Sequence, residues 1–146
     1  MRVLALDHGS ARCGVAVSDP TGTIVTPLDP VLNPDTRRGV NAVRAVVEDT
    51  GAERVVVGLP LSLSGGDSDQ TRAARAFAER LQARVGVPVE LYDERFTTRL
   101  AQQAGGRSAE DSRAAAILLE TWLAAQDRSE SEGDNDRRAH GQRRFV

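Results

Sequence analysis

Three short stretches of this 146-residue chain place a carboxylate where the local pattern leaves the core. Val3-Leu4-Ala5-Leu6-Asp7-His8-Gly9 ends an apolar run on Asp7, and Leu91-Tyr92-Asp93-Glu94-Arg95 ends another on Asp93 and Glu94. Glu110-Asp111-Ser112-Arg113-Ala114-Ala115 opens an alanine-rich run behind Asp111. An ionised carboxylate at the end of a buried strand is costly unless water, a hydrogen-bond donor or a cation meets it. Three of them drawn together repel one another, and a divalent cation relieves that repulsion. Oxygen donors of this kind suit hard ions, so the chemistry these residues could do is binding of Mg²⁺ or Mn²⁺. Taken singly, each is also an ordinary surface acid, and only convergence in the fold separates the two accounts.

The elements that must position them can be read from periodicity. Arg2 to Asp7 is apolar at nearly every position, which suits a central strand covered on both faces. After a turn over Gly9 to Arg12, Cys13 to Ser18 alternates, Asp19-Pro20-Thr21-Gly22 turns again, and Thr23 to Thr26 predicts a third short strand. Pro27 to Asp35 reads as a proline-rich connection. Val40, Val43, Val46 and Val47 recur at helical spacing before Gly51, and Arg54 to Leu59 reads as a buried strand. A second helix carries the stripe Ala74, Phe77, Ala78, Leu81 and Val85, closed by Gly86 and Pro88, and Val89 to Tyr92 is the last strand. Thr97 caps a short helix through Gln103, and a longer helix runs from about Ala109 to Gln126, with Ala114, Ala115, Leu118 and Trp122 on the face that Asp111 begins.

This order predicts an α/β domain with a mixed five-stranded sheet, three antiparallel strands followed by two parallel ones, and helices on both faces through right-handed crossovers. The carboxyl ends of the first and last strands would then open on the same side. That brings Asp7 and Glu94 together, with Asp111 supplied by the closing helix. The length suits one folded domain, residues 1–126, and the Ser, Glu, Gly, Asp, Asn and Arg composition of residues 127–146 predicts a disordered polar tail.

Net charge is −2 and all 19 residues counted as Lys or Arg are arginine, a balance that argues against promiscuous nucleic-acid binding. The arginines nevertheless cluster, and guanidinium forks bind phosphate well; Arg12, Arg72, Arg75 and Arg95 are the candidates for phosphate contacts. Arg95 could equally neutralise Asp93 or Glu94 within the fold. A single cysteine, Cys13, offers neither an internal disulfide nor a thiolate metal cluster, and no run suits a signal peptide or membrane span, so a cytoplasmic chain with no membrane partner is expected. The two histidines, His8 and His140, leave little for histidine-based phosphodiester cleavage. His8 alternates away from Asp7 and reads as a surface residue beside a turn. Gly9, Gly14 and Gly65-Gly66 would admit a phosphate backbone closely, or simply serve turn geometry.

Four blocks in order carry a resemblance: Leu6-Asp7-His8-Gly9-Ser10-Ala11-Arg12-Cys13-Gly14-Val15-Ala16-Val17-Ser18-Asp19, Val56-Val57-Gly58-Leu59-Pro60-Leu61, Asp93-Glu94-Arg95-Phe96-Thr97-Thr98, and Asp111-Ser112-Arg113-Ala114-Ala115-Ala116-Ile117-Leu118-Leu119. Over roughly residues 1 to 125 the chain resembles the YqgF family, also called RuvX, of the RNase H-like nucleases. The resemblance implies an RNase H-like fold and a metal-dependent endonuclease that processes the 5′ end of pre-16S ribosomal RNA in ribosome biogenesis. It implies Asp7, Glu94 and Asp111 as the catalytic and metal-binding triad, with Asp93 and Asp19 as neighbours. Two Mg²⁺ or Mn²⁺ ions are the implied cofactors, with Asp7 bridging them. A Holliday-junction resolvase is the implied alternative, so the partners are structured RNA, in an assembling ribosomal particle, or branched DNA, met by a monomer or homodimer. The family usually has a longer, lysine-rich loop before the last aspartate than Ala104 to Glu110 provides here. Two other classes fit parts of the pattern. One is a nucleic-acid-binding regulator with little catalysis. The other is a sugar kinase or actin-like ATPase, whose first phosphate loop Asp7-x-Gly9-Ser10 also resembles, although those enzymes clamp nucleotide between two such domains.

Overall fold

A computed structural model describes residues 1–61, 66–94 and 112–128. In chain order the elements are β1 (Val3–His8), β2 (Arg12–Ser18), β3 (Val25–Leu32), α1 (Arg37–Thr50), β4 (Arg54–Leu59), α2 (Asp69–Gln82) and β5 (Val89–Asp93), followed by a helix over residues 112–128, here α3. They form a five-stranded sheet in the order β3-β2-β1-β4-β5. The pairs β1/β2 and β2/β3 are antiparallel, and β1/β4 and β4/β5 are parallel. The expected mixed α/β sheet is therefore present, with the apolar first strand at its centre.

Alternation along β1 divides the core in two. Leu4 and Leu6 join Val55 and Val57 beneath α1 and α2, where Val40, Val43, Val47, Phe77, Ala78 and Leu81 are buried. Val3 and Ala5 point the other way, joining Ala16 and Val56 beneath Ala115, Leu118, Leu119 and Trp122 of α3. Both early helices start at caps their sequences provide, and α1 also stops at its glycine. The Thr36 hydroxyl accepts from Gly39 N at 3.0 Å, Gly51 closes α1 at φ 69°, and Ser68 and Thr71 form a reciprocal cap on α2.

Three boundaries differ from expectation. β3 extends through Val25–Leu32, including Pro27 and Pro30, where the sequence reads as a connection. Because β3 is an edge strand, the donors that proline lacks are tolerated there, and the pairing with β2 shifts register between Cys13 and Val15. α2 ends at Gln82 instead of reaching Val85, since the Gln82 side chain donates to Val87 O at 3.0 Å and accepts from Val89 N at 2.8 Å, fastening the chain into β5. α3 continues through residue 128, beyond the expected end of the folded part. The short helix after Thr97, Gly65, the loop before Asp111 and residues 129–146 lie outside the described residues. Cys13 is a buried free thiol whose pKa is pushed up, first by burial and then by the charges of Asp7 and Asp35. Among the described residues, no helix is long and apolar enough to cross a membrane.

Candidate active site

The face beneath α3 runs out of large side chains at the carboxyl ends of the parallel strands. Following Val3 and Ala5 along β1 on that face leads to Asp7; following Ala16 back along β2 leads to Gly14 and Arg12; following Val56 along β4 leads to Gly58. On β5, Tyr92 belongs to the same face and lies opposite Gly58, and Glu94 follows directly after the strand. Parallel pairing of β1 with β4 and of β4 with β5 thus aims the first and last strands at one edge, where ligands of open α/β sheets commonly bind.

Asp7 and Glu94 meet there. Their carboxyl groups are hydrogen-bonded, and the Glu94 side chain lies across β4 over Gly58. Burial first, then the hydrogen bond to Asp7 and the charges of Asp7 and Asp93, together push the Glu94 pKa up to about 8. A carboxyl group pushed toward neutrality by burial and by a second carboxylate belongs to a pair that cannot ionise together without a counter-charge. Such a pair, with hard oxygen donors and an excess of negative charge on full ionisation, fits a divalent cation. Among the described residues, no group of three or more His, Cys, Asp or Glu is placed to hold a metal. Asp111 lies outside the described residues. Its chain neighbour Ser112 is pinned against β2 and β3, accepting from Val15 N at 3.4 Å and donating to Leu28 O, at the level where Val15 pairs with Leu6.

The other sequence candidates separate. Arg12 begins β2 on the Asp7 face and is exposed. Arg72 and Arg75 lie on α2, which covers the opposite face, and pair with Asp69 and, at 3.1 Å, with Asp67. Arg95 lies outside the described residues. Asp19 is not a neighbour of Asp7: it sits in the β2–β3 turn at the far end of the sheet, where Thr21 Oγ1, Thr23 N and Ile24 N donate to it and hold its pKa down at about 2. His8 does alternate away from Asp7, but it is not a surface histidine. Its side chain is only 3% exposed, with Nε2 2.7 Å from Asp35 Oδ1 and the ring 5.0 Å from that of Phe77. The α1/α2 layer covers it. Gly58 is the residue sequence reasoning passed over, although a glycine within an otherwise all-apolar strand interior is itself a sign of close approach.

The sequence and the fold both have relatives among known proteins. The family model described as "RuvX: Holliday junction resolvase" matches residues 1–125. A protein of Koribacter versatilis (strain Ellin345) named "Putative pre-16S rRNA nuclease" is 46% identical over 97 residues, covering 66% of this chain and 63% of its own length. One of the same name from Anaeromyxobacter sp. (strain K) is 39% identical over 132 residues, covering 84% of this chain and 96% of its own. Among solved structures, Thermus thermophilus RuvC in complex with a Holliday junction substrate superposes with a TM-score of 0.56 at 18% identity, covering 86% of this chain and 95% of that one, which shows a shared RNase H-like fold.

Proposed function

The chain belongs to the RuvX family of nucleases, and from that premise we propose that it is a metal-dependent endonuclease that trims the 5′ end of pre-16S ribosomal RNA during ribosome biogenesis in the cytoplasm. The observation that carries the reading is the Asp7–Glu94 carboxyl pair at the carboxyl ends of β1 and β5. Two carboxyl groups that share a proton and repel once it is lost contribute little to folding, and they are the expected furniture of a site completed by a cation.

In this reading Asp7, Glu94 and Asp111 hold the metal, two Mg²⁺ or Mn²⁺ ions in all, with Asp111 delivered by the chain leading into Ser112. The bound ions supply Lewis acidity, activating water and neutralising charge on the scissile phosphate. The chain's own residues do the rest. Asp7, fixed in the central strand, sets the position of the cleavage point, and Glu94 gives up its proton as it becomes a ligand. Gly14, beside Asp7 in the β1/β2 ladder, leaves the sheet face free of side chain where a sugar-phosphate backbone must pass. Arg12, two residues along the same face, grips an adjoining phosphate, and Arg95, next in sequence to Glu94, is a further candidate for a phosphate contact. Arg72 and Arg75, on the far helix, reach only RNA that wraps over the strand ends.

The Holliday-junction alternative has specific support in the family model's description and in the fold shared with RuvC. Both are tested together by incubating end-labelled pre-16S RNA and a four-way DNA junction with the protein and with Asp7→Asn, in Mg²⁺, Mn²⁺ or EDTA. Cutting of the RNA that needs metal and Asp7 is the expected result. Symmetric cutting of the junction alone would replace the RNA reading with the resolvase, and RNA binding with no cutting of either would leave a non-catalytic regulator.

A further inference from the structure

We propose that Gly58 is a positioning residue of the cleavage site: the bare backbone at this point of β4 is what lets the Glu94 carboxyl group cross the strand and reach Asp7. The inference rests on the reading of Asp7 and Glu94 as metal ligands. β4 reads Arg-Val-Val-Val-Gly-Leu, with every residue after the arginine buried. A glycine inside such a strand forfeits side-chain packing and adds chain entropy to the unfolded state. Its backbone does not require it, because the positive-φ glycines among the described residues are Gly22 and Gly51. Space does. A Cβ built on Gly58 would stand 2.4 Å from Glu94 Oε1, 3.0 Å from its Cγ and 3.1 Å from its Cδ. By contrast, a Cβ on Gly86 would meet nothing within 4 Å.

The geometry explains why the site needs the glycine. Asp7 and Glu94 come from strands that are not neighbours, since β4 lies between β1 and β5. Bridging that gap on the α3 face means passing over whichever β4 residue points to that face near the strand ends, and that residue is Gly58. A methyl group there would meet the far end of a flexible side chain. The fold can yield by letting Glu94 swing away, so the loss falls on the site and leaves the core intact.

The test uses Gly58→Ala in the full chain, with Glu94→Gln and Gly58→Ala/Glu94→Ala alongside, reading Mn²⁺ binding to metal-free protein by calorimetry, thermal midpoint and RNA cleavage. Gly58→Ala is expected to melt close to wild type, to bind Mn²⁺ about tenfold or more weakly, as misplacing a ligand does, and to recover cleavage in part at high Mn²⁺. Mn²⁺ affinity and cleavage matching wild type in Gly58→Ala, with both lost in Glu94→Gln, would overturn the role of Gly58 and spare the carboxylate site. Unchanged binding and cleavage in Glu94→Gln would instead remove the carboxylate reading, and the Gly58 inference with it. If Gly58→Ala fails to fold while Gly58→Ala/Glu94→Ala folds, the clash with Glu94 is established directly. If neither folds, the glycine serves the backbone and the proposal is wrong.

Discussion

Asp7 and His8 are consecutive residues at the end of one strand, and the two faces of the sheet treat them in opposite ways. His8 turns toward α1 and α2, where a carboxylate partner and an aromatic ring close around it. Asp7 turns toward α3 and meets Glu94, a group of its own charge type. Complementary partners show a polar residue absorbed into the scaffold; like partners show one kept for something outside the chain. The helix-pair face should therefore govern stability, and the α3 face at the strand ends should govern cleavage.

The severest way to break this contrast is on the closed face. Phe77→Ala empties a fully buried site and should cost about 3–5 kcal/mol in chemical denaturation, while the fraction still folded cleaves at the wild-type rate; a loss of specific activity in that fraction would show that the faces are not independent. On the open face, Asp7→Asn should lower cleavage at least about a hundredfold, the scale for removing one group that manages transition-state charge. In metal-free buffer at pH 8 the same variant should melt higher than wild type, because one of two repelling carboxylates is gone. A lower melting temperature would move Asp7 into the scaffold. His8→Ala sharpens the comparison from the other residue, with an expected loss of about 1–3 kcal/mol from the packing lost beside Phe77 and the hydrogen bond lost to the exposed Asp35, and cleavage maintained.

The smallest effect is a proton. The Glu94 pKa is raised from an ordinary 4.5 to about 8, so the folded metal-free protein binds more protons than the unfolded chain between those values. Its contribution to stability is accordingly greatest at acid pH and declines as pH rises through that window. Binding of Mn²⁺ at pH 7 should expel up to about one proton, measurable by calorimetry in two buffers of different ionisation enthalpy, and the release should fade above pH 8. No release at pH 7 would mean that Glu94 is not displaced from its proton by metal.

Much of this was legible in the residues. The run before Asp7, the valine stripe of α1 and the Ala74/Phe77/Leu81 stripe of α2 each fix an element through strand or helix periodicity, and their order leaves few topologies. Convergence of Asp7 and Glu94 followed from that topology. What escaped the sequence depended on neighbours far along the chain. The strand content of Pro27 to Leu32 depends on lying at an edge, which no local pattern declares. The burial of His8 depends on Asp35 and Phe77, and the meaning of Gly58 depends on a glutamate that follows β5. Arginines such as Arg72 and Arg75 look alike in sequence whether they face a substrate or an acidic neighbour, and their local ion pairs with Asp69 and Asp67 became visible only with α2 in place.

The parallel pairing of β1, β4 and β5 has a consequence in time. Asp7 is made well before its partner, which arrives only when β5 has been made and has added to the edge of β4. Contacts of such long sequence separation form late, because loop closure must precede any reward. A growing chain surrounded by ribosomal RNA therefore carries no assembled carboxylate pair, and the capacity to cut is withheld until the sheet is complete.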